Sequence, residues 1–318
     1  MAKPQENGRG GKSTSGGEKT IALVFNGTDW GSASASISPA SGGKSNDFFY
    51  VSTTAGDPYG VTSVSPYIDG KGGSDQLIVS TVNVKIDDAF FENIVSVESL
   101  KLSSGTNEVI LGQHALAAGF LDVSGGSGDD TITFDVATYD ISTNVEVDGG
   151  GGDDSISGGA GNDTIKGGQG MDELVGNGGD DTFVYTNAAD STIGDLADDT
   201  SWSFDSINDF EAGDVLKVGA IEAELNLNLN IANVDATSAV DSDAILTAII
   251  AAADGMFVGT AEVATVSGVT VTVAGSIDET FKDGNYFLAD NDGNGAYNSG
   301  ELFIYLDTGT VASGAFVV

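Results

Sequence analysis

The feature that most constrains the fold is a run of four nine-residue repeats between residues 149 and 184. They read GGGGDDSIS, GGAGNDTIK, GGQGMDELV and GNGGDDTFV, with no residue inserted between them. Each follows the pattern GGxGxDxUx, in which U is a large apolar residue. A short fixed period of this kind predicts an architecture of stacked, nearly identical turns.

Each half of a repeat has its own physical role. Glycines allow the positive φ angles and close backbone approaches of a tight turn. The xUx tail predicts a very short strand whose apolar residue points inward; these residues are Ile156, Ile165, Leu174 and Phe183. One apolar side chain per repeat cannot bury a turn alone, so the turns must stack.

Stacking brings the aspartates at the sixth repeat position into columns of like charge; these are Asp154, Asp163, Asp172 and Asp181. Their repulsion opposes stacking unless a cation lies between them. Carboxylates and free turn carbonyls are hard oxygen ligands, which favour calcium over zinc or copper. The repeats therefore predict several bound Ca²⁺ ions.

These nonads resemble the calcium-binding repeats of the RTX (repeats in toxin) proteins. The resemblance implies a right-handed parallel β-solenoid, or β-roll, with calcium held between turns by the aspartates and by backbone carbonyls. Residues 125–133 (GGSGDDTIT) are a further clean nonad, with Asp130 as its ligand. Residues 70–78 (GKGGSDQLI) are a degenerate one, with Asp75 in the ligand position.

The charge balance agrees with a need for cations. The net charge is −37, and four of the eleven Lys and Arg residues precede residue 20. This charge disfavours nucleic acid and anionic membrane surfaces as partners. Cysteine is absent, so disulfides and thiolate sites are excluded. Bound metal ions are the other common means of stabilising an extracellular protein.

Residues 1–20 contain no apolar segment of the Sec signal type, and no apolar run is long enough to insert into a membrane. The RTX resemblance instead implies export through a type I channel, directed by an uncleaved C-terminal signal. The small-then-apolar ending SGAFVV fits such a signal. We therefore expect an extracellular or cell-surface bacterial protein.

Residues 203–218 (SFDSINDFEAGDVLKV) resemble the DxIxDFxxGD segment that closes the roll in secreted RTX proteins. The resemblance implies that Asp205, Asp209 and Asp214 are ligands of a terminal ion. The alternative is a hairpin with solvated acidic residues.

A second metal motif lies at residues 290–301, DNDGNGAYNSGE, which match the twelve-residue EF-hand loop. The predicted ligands are Asp290, Asp292, Asn294, the carbonyl of Ala296, Asn298 and Glu301. Strand-like segments flank this loop, so it would lie inside a hairpin. The alternative is an Asx-rich turn without metal. The segment 284–309 also resembles the C-terminal domain of bacterial surface proteins with RTX repeats.

The predicted fold is all-β, with a small C-terminal β-rich domain that contains one helix. We expect a flexible tail over 1–20, a β-rich N-terminal cap over 21–69, the calcium-binding solenoid over 70–185 and the C-terminal domain over 186–318. In that last domain, residues 225–231 and 266–273 predict strands, and 244–253 predict the helix.

Motifs for catalysis are missing from the sequence. There is no HExxH or GxSxG motif, and His114 is the single histidine. We interpret His114 as a surface or cap residue. The GGKS segments at 10–13 and 42–45 lack the first glycine of a P-loop. An enzyme with an unfamiliar pair of acids stays open as the least favoured alternative.

The expected function is that of a secreted structural protein that folds on calcium and self-assembles into a surface layer, fibre or matrix. Its expected partners are other copies of itself and the type I export machinery, with cell-surface polysaccharide as a further candidate. The competing interpretation is a monomeric calcium-dependent adhesin whose recognition surface lies within residues 20–70.

Overall fold

The computed structural model describes residues 18, 20–25, 40–53, 65–138, 141–192, 204–218, 231–235, 242–254, 267–274, 282–290, 297, 301–307 and 316–317. The chain divides into two compact units, Met1–Gly150 and Gly151–Val318. Strands dominate both units, and most of them pair in parallel. The architecture is therefore the predicted all-β parallel β-roll.

The first unit contains strands β1 (Thr20–Phe25), β2 (Ala40–Ser41), β3 (Phe48–Thr53), β4 (Ile68–Asp69), β5 (Gln76–Val79), β6 (Lys85–Ile86), β7 (Ile94–Val95), β8 (Ser99–Lys101), β9 (Glu108–Leu111), β10 (Asp122–Ser124), β11 (Thr131–Phe134) and β12 (Glu146–Gly151). It also contains a 3₁₀ helix, Asp88–Phe91, and helix α1, Gln113–Ala118. Its sheets run in the orders β1-β3-β5-β8-β10-β12, β6-β9-β11 and β2-β4-β7.

An inward-facing apolar ladder holds the first of these sheets together. Parallel pairing places five apolar residues directly above one another, each with its side chain buried; they are Phe49, Leu77, Leu100, Val123 and Val147. The alternating burial along each short strand follows from the two-residue period of β structure. One apolar residue per strand is thus enough to build a continuous core when the strands stack.

The predicted N-terminal cap is β-rich in its described part. Both β1 and β3 pair in parallel in the same sheet as β5. These two strands therefore continue the sheet of the roll, and the role of residues 21–69 as a cap stays a prediction. Strand β3 fits against β5 because Phe49 takes the same inward position as Leu77, which the register between the two strands fixes.

The second unit contains strands β13 (Ser155–Ser157), β14 (Thr164–Gln169), β15 (Glu173–Val175), β16 (Thr182–Tyr185), β17 (Asp205–Ile207), β18 (Val215–Val218), β19 (Ile231–Asp235), β20 (Ser267–Ala274), β21 (Gly284–Asp290), β22 (Phe303–Leu306) and β23 (Phe316–Val317). It also contains a 3₁₀ helix, Ala188–Asp190, and helix α2, Ser242–Asp254. One sheet runs β14-β16-β18-β23, and the other runs β13-β15-β17-β22-β21-β20-β19.

The roll extends past the predicted boundary at residue 185. Strand β17 pairs in parallel with β15, and β18 pairs in parallel with β16. These two strands belong to different sheets, so residues 204–218 form one more coil of the roll and not a hairpin. Beyond this coil, β20, β21 and β22 form antiparallel pairs.

The predicted helix is confirmed as α2. Its residues Ile245, Ile249 and Ala253 are buried in an apolar cluster with Tyr286 and Phe303. None of the helices in the described ranges is both long and apolar enough to cross a membrane. Of the predicted strand over 225–231, residues 225–230 lie outside the described residues.

Helix α1 was not predicted, and an aromatic cluster accompanies it in the first unit. Phe91 makes edge-on ring contacts with Phe90 and Phe120, with ring centroids 5.2 and 5.0 Å apart. All three side chains are fully buried. With only six residues, α1 is too short to show a helical period in the sequence.

We expect Phe91→Ala to lower the free energy of unfolding by about 3–5 kcal/mol, because it removes a fully buried aromatic side chain and leaves a cavity. Urea denaturation in calcium measures the loss. The matched control is Tyr67→Ala, at a side chain that is 52% exposed, where a change of no more than about 0.5 kcal/mol is expected. Equal stability of the two variants would contradict the assigned core.

Candidate metal centre

The sixth-position carboxylates of the roll are buried although they carry charge. Asp172 is representative, because it follows a glycine turn, precedes β15 and is 1% exposed. The other buried members are Asp75, Asp130, Asp154, Asp163, Asp181, Asp205 and Asp214. Buried carboxylates are rare unless they are paired or coordinate a metal.

The first oxygen of six of these carboxylates accepts a backbone N–H from the preceding turn of the same sheet; the six are Asp75, Asp130, Asp172, Asp181, Asp205 and Asp214. In one sheet of the second unit, the N–H of Asp154 donates to Asp172 Oδ1 and that of Asp172 donates to Asp205 Oδ1, both at 2.9 Å. We call these three residues column 1. In the other sheet, the N–H of Asp163 donates to Asp181 Oδ1 at 2.7 Å and that of Asp181 donates to Asp214 Oδ1 at 2.9 Å. Asp163, Asp181 and Asp214 form column 2.

The second carboxylate oxygen points at the first glycine of its own repeat. A Cβ atom at Gly158 would lie 2.6 Å from Asp163 Oδ2 and 2.9 Å from the carbonyl oxygen of Gly176. The same overlap with Oδ2 would occur at Gly167 and at Gly176. Glycine at this position therefore leaves a space that is lined by a carboxylate oxygen and a turn carbonyl oxygen.

Two acceptor oxygens that face each other need a positive group between them. The Oδ2 atom of Asp172 is buried and has no hydrogen-bond partner among the described residues. No three acidic or imidazole side chains of the described ranges converge as metal ligands, so a site here combines carboxylates from the columns with turn carbonyls. This all-oxygen donor set, in a space that a methyl group would fill, fits Ca²⁺.

Burial shifts the proton affinity of these groups. It raises the pKa of Asp181 to about 7, with smaller contributions from the carboxylates of Asp163 and Asp214. It also raises the pKa of Asp172 to about 6. For Asp205 the pKa is raised well above its ordinary value, by burial and by the Asp172 carboxylate. The folded form without metal therefore favours protonated carboxyl groups.

Of the three predicted ligands of a terminal ion, Asp209 lies close enough to Asp214 for its charge to add to the effect of burial in raising the pKa of Asp214. The terminal ion itself stays a prediction. Asp205 ends column 1 and Asp214 ends column 2, in separate sheets. Asp209 accepts the backbone N–H groups of Gly176 and Asn177, at 2.9 and 2.6 Å, one on each carboxylate oxygen. Its observed role is thus to close a turn by hydrogen bonds.

Column 1 ends at a hydroxyl group that the sequence pattern did not reveal. The N–H of Asp205 donates to Ser191 Oγ at 2.8 Å, and that hydroxyl donates to the carbonyl oxygen of Phe303 at 2.5 Å. Ser191 is fully buried. It therefore takes the place where the next repeat would supply a carboxylate.

A third acidic column lies in the first unit. The N–H of Asp47 donates to Asp75 Oδ1, and the N–H of Asp75 donates to Glu98 Oε2, both at 2.7 Å. Asp75 Oδ2 is buried without a hydrogen-bond partner among the described residues. A Cβ atom at Gly70 would overlap this oxygen and the carbonyl oxygen of Ser96. Asp47, Asp75 and Glu98 form column 3.

Of the column 3 residues, the repeat pattern predicted Asp75 as a ligand but did not predict Asp47 or Glu98. The signal for Asp47 was the segment GGKSNDFFY, which is a nonad that starts with the GGKS set aside as a failed P-loop. Glu98 precedes the buried Leu100 by two residues, as each repeat aspartate precedes its apolar residue. Glu98 was not predicted because the repeat pattern requires aspartate at that position.

Asp130 precedes strand β11 of the sheet β6-β9-β11, and Asn107 is its neighbour on the adjacent turn. The N–H of Asn107 donates to Asp130 Oδ1 at 2.8 Å. A Cβ atom at Gly125 would lie 2.5 Å both from Asp130 Oδ2 and from the carbonyl oxygen of Gly149. The glycine turn before Asp130 therefore has the oxygen-lined space of the tandem repeats.

The EF-hand-like loop is only partly described. Strands β21 and β22 flank it and pair antiparallel, which confirms the predicted hairpin. Asp290 is the last residue of β21, and Glu301 is buried just before β22. The predicted ligands Asp292, Asn294, Ala296 and Asn298 lie outside the described residues. Calcium binding by this loop stays a prediction.

His114 lies beside an acidic residue at the start of α1. Its Nδ1 atom is 2.8 Å from Asp88 Oδ2, and its side chain is about half exposed. The same carboxylate accepts the backbone N–H groups of Gly112, His114 and Ala115. His114 therefore has the cap-like surface position expected from the sequence.

Comparison with known families agrees with this geometry. The model of the RTX calcium-binding nonapeptide repeat (4 copies) matches residues 148–183. These residues are RTX repeats. RTX repeats bind Ca²⁺, several ions per repeat region. The assignment of columns 1 and 2 as the ligands stays a prediction. A comparison with curated proteins finds no match.

We expect Asp172→Asn to weaken calcium binding by about tenfold or more, because it removes one charged ligand from the RTX columns while keeping the side-chain shape. Isothermal titration calorimetry on metal-stripped protein measures the affinity and the number of ions. Asp122→Asn makes the same change of charge at an exposed position of β10 and is the control. Binding curves that coincide for the two variants would remove Asp172 from the ligand set.

The raised pKa values predict how pH acts on the metal-free RTX roll. The pKa of Asp181 is about 7 and that of Asp172 about 6 when folded, against 3.8 in the reference state, so the folded form binds more protons. Metal-free stability is therefore greatest at low pH and falls as pH rises from about 4 to about 7. Thermal unfolding in metal-free buffers at several pH values measures this trend. A metal-free melting temperature that rises across this window would refute it.

Proposed function

We propose that this protein is a secreted structural protein that folds on calcium outside the cell and self-assembles into a surface layer, fibre or matrix. The observation that carries this proposal is the set of columns of buried carboxylates, in which the Oδ2 atoms of Asp75 and Asp172 have no hydrogen-bond partner among the described residues and Asp75 Oδ2 faces the carbonyl oxygen of Ser96. Such columns make the folded state depend on a cation. Calcium binding is therefore the event that drives folding, and the folded roll is the functional product.

Metal-gated folding also suits export. At low cytosolic calcium, repulsion within the columns disfavours the stacked state and keeps the chain extended, which is compatible with a narrow type I channel. Extracellular calcium sites commonly bind with dissociation constants of about 10⁻⁴ to 10⁻³ M. Where calcium is millimolar, the binding free energy becomes folding free energy. No catalytic step is part of this proposal.

Open sheet edges support self-assembly. Strand β1 pairs with β3, and β6 pairs with β9; neither has a second neighbour among the described strands of the first unit. A strand at a sheet edge presents unpaired N–H and C=O groups that can pair with another chain. The β1 segment, TIALVF, carries no charge or proline that would oppose such pairing.

Sedimentation velocity of the whole chain tests the assembly directly. We expect slow, extended monomers after removal of metal and large particles in millimolar calcium, with magnesium at equal ionic strength as the control. Compact monomers in calcium at every protein concentration would reject self-assembly and favour a monomeric adhesin.

We expect Ile21→Lys to reduce the particles formed in calcium, because it places an inward-pointing charge on the edge strand β1. Its calcium binding, measured by calorimetry, should match that of the wild type. Unchanged assembly of this variant would show that β1 is not the edge that pairs.

A further inference from the structure

Asn107 occupies the position that aspartate holds in the calcium repeats. It precedes the buried Val109 by two residues, and Val109 is in register with Ile132, which Asp130 precedes by the same interval. The preceding residues, LSSGT, form the corresponding turn. Asn107 is 1% exposed, so its amide group lies where the repeat carboxylates lie.

The Asn107 side chain fills this position with hydrogen-bond donors. Its Nδ2 atom donates to the carbonyl oxygens of Ser103 and Gly105, both at 2.9 Å, and to Asp130 Oδ1 at 2.8 Å. Its Oδ1 atom accepts the N–H of Val84 at 3.1 Å. Two amide hydrogens are thus shared among three oxygens, and each end of the amide is satisfied.

The chemistry of the neighbours fixes the orientation of this amide. All three oxygens around Nδ2 are acceptors only, and the group facing Oδ1 is a donor. Exchanging the amide nitrogen and oxygen would bring four like groups into contact. The positively polarised hydrogens of the NH₂ group therefore have to face the turn carbonyls.

In this turn, the NH₂ group of Asn107 pairs with the carbonyl oxygens that a cation would contact in an aspartate turn. In column 2, Asp163 Oδ2 and the carbonyl oxygen of Gly176 line the same small space, and in column 1 the buried Asp172 Oδ2 has no hydrogen-bond partner among the described residues. A cation beside these oxygens would stabilise them. In the turn before Asn107, the NH₂ group lies among turn carbonyls and a carboxylate oxygen at ordinary hydrogen-bond distances. A turn closed in this way needs no ion.

Apolar side chains or hydrogen bonds take the place of metal at further positions near Asn107, whereas Asp130 keeps an oxygen-lined turn of the calcium type. In the neighbouring sheet of the first unit, Leu121 and Val145 hold the sixth positions before Val123 and Val147. The Asp88 carboxylate is satisfied by three backbone N–H groups and by His114. The buried phenylalanine cluster around Phe91 lies in the same stretch.

We propose that residues 103–111 form a calcium-independent block of the roll, in which the amide of Asn107 takes the place of a calcium ion. The block keeps its turn closed when metal is removed, so that β9 stays available to pair with β11, and the acidic columns refold on calcium. This inference rests on the proposed function, because it assumes that the acidic repeats, unlike this block, fold only when calcium is bound.

Hydrogen exchange measured by mass spectrometry on the whole chain tests the block. After metal removal, amides of β9 and β11 should exchange at least about 100-fold more slowly than those of residues 154–184. Exchange of β9 and β11 as fast as that of the repeats would overturn the proposal. Protection of residues 154–184 without metal would instead count against calcium-gated folding.

Asn107→Asp tests the role of the amide, because it replaces the NH₂ group by an acceptor of the same size. Without metal, β9 and β11 should lose about 100-fold in protection, and calcium should restore it. Retained protection without metal would overturn the role of Asn107, and failure of calcium to restore it would overturn the equivalence of amide and ion.

The matched control is Asn83→Asp. The Asn83 side chain accepts the N–H of Thr106 at 2.9 Å in the neighbouring turn, and a carboxylate keeps that acceptor. The control adds the same charge to the same region, so it should leave the protection of β9 and β11 within about threefold of the wild type. An equal loss in both variants would assign the effect to charge alone and overturn the proposal.

Discussion

The repulsion between a buried carboxylate oxygen and a turn carbonyl oxygen is the constraint on which the second unit depends. Asp163 Oδ2 and the carbonyl oxygen of Gly176 meet in this way at Gly158. In the neighbouring column, a backbone N–H satisfies the Oδ1 atom of Asp172, while its buried Oδ2 atom has no hydrogen-bond partner among the described residues. Removing water from such groups is costly unless a cation or a proton compensates. Calcium and protons are therefore alternative ways to stabilise the same stack.

The glycine turns and the short strands of the roll allow successive carboxylates to stack at a regular spacing. Glycine at the first repeat position is required because a Cβ atom would overlap the carboxylate, as at Gly158. Each short strand contributes one buried apolar residue, which gives a thin core. A chain with a net charge of −37 and so thin a core depends on bound cations for much of its stability.

Much of this arrangement could be predicted from the sequence because the repeats specify it locally. The tandem nonads predicted the parallel strands. Possible N-cap residues before an apolar run, and a glycine after it, predicted α2. The terminal coil was harder, because Asp205 and Asp214 resemble members of one site in sequence although they end different columns. Asp47, Glu98 and Asn107 escaped because they depart from GGxGxDxUx, and only the register between strands shows their equivalence to the repeat aspartates. Asn107 also shows that a residue at a ligand position can replace the ion.

The most direct measurement is the far-UV circular dichroism of metal-stripped protein as calcium is added at neutral pH. Strand signal that is small without metal and recovers cooperatively at sub-millimolar to millimolar calcium is the predicted result. A stripped protein whose spectrum already equals that of the calcium-loaded form would contradict calcium-dependent stacking of the acidic columns.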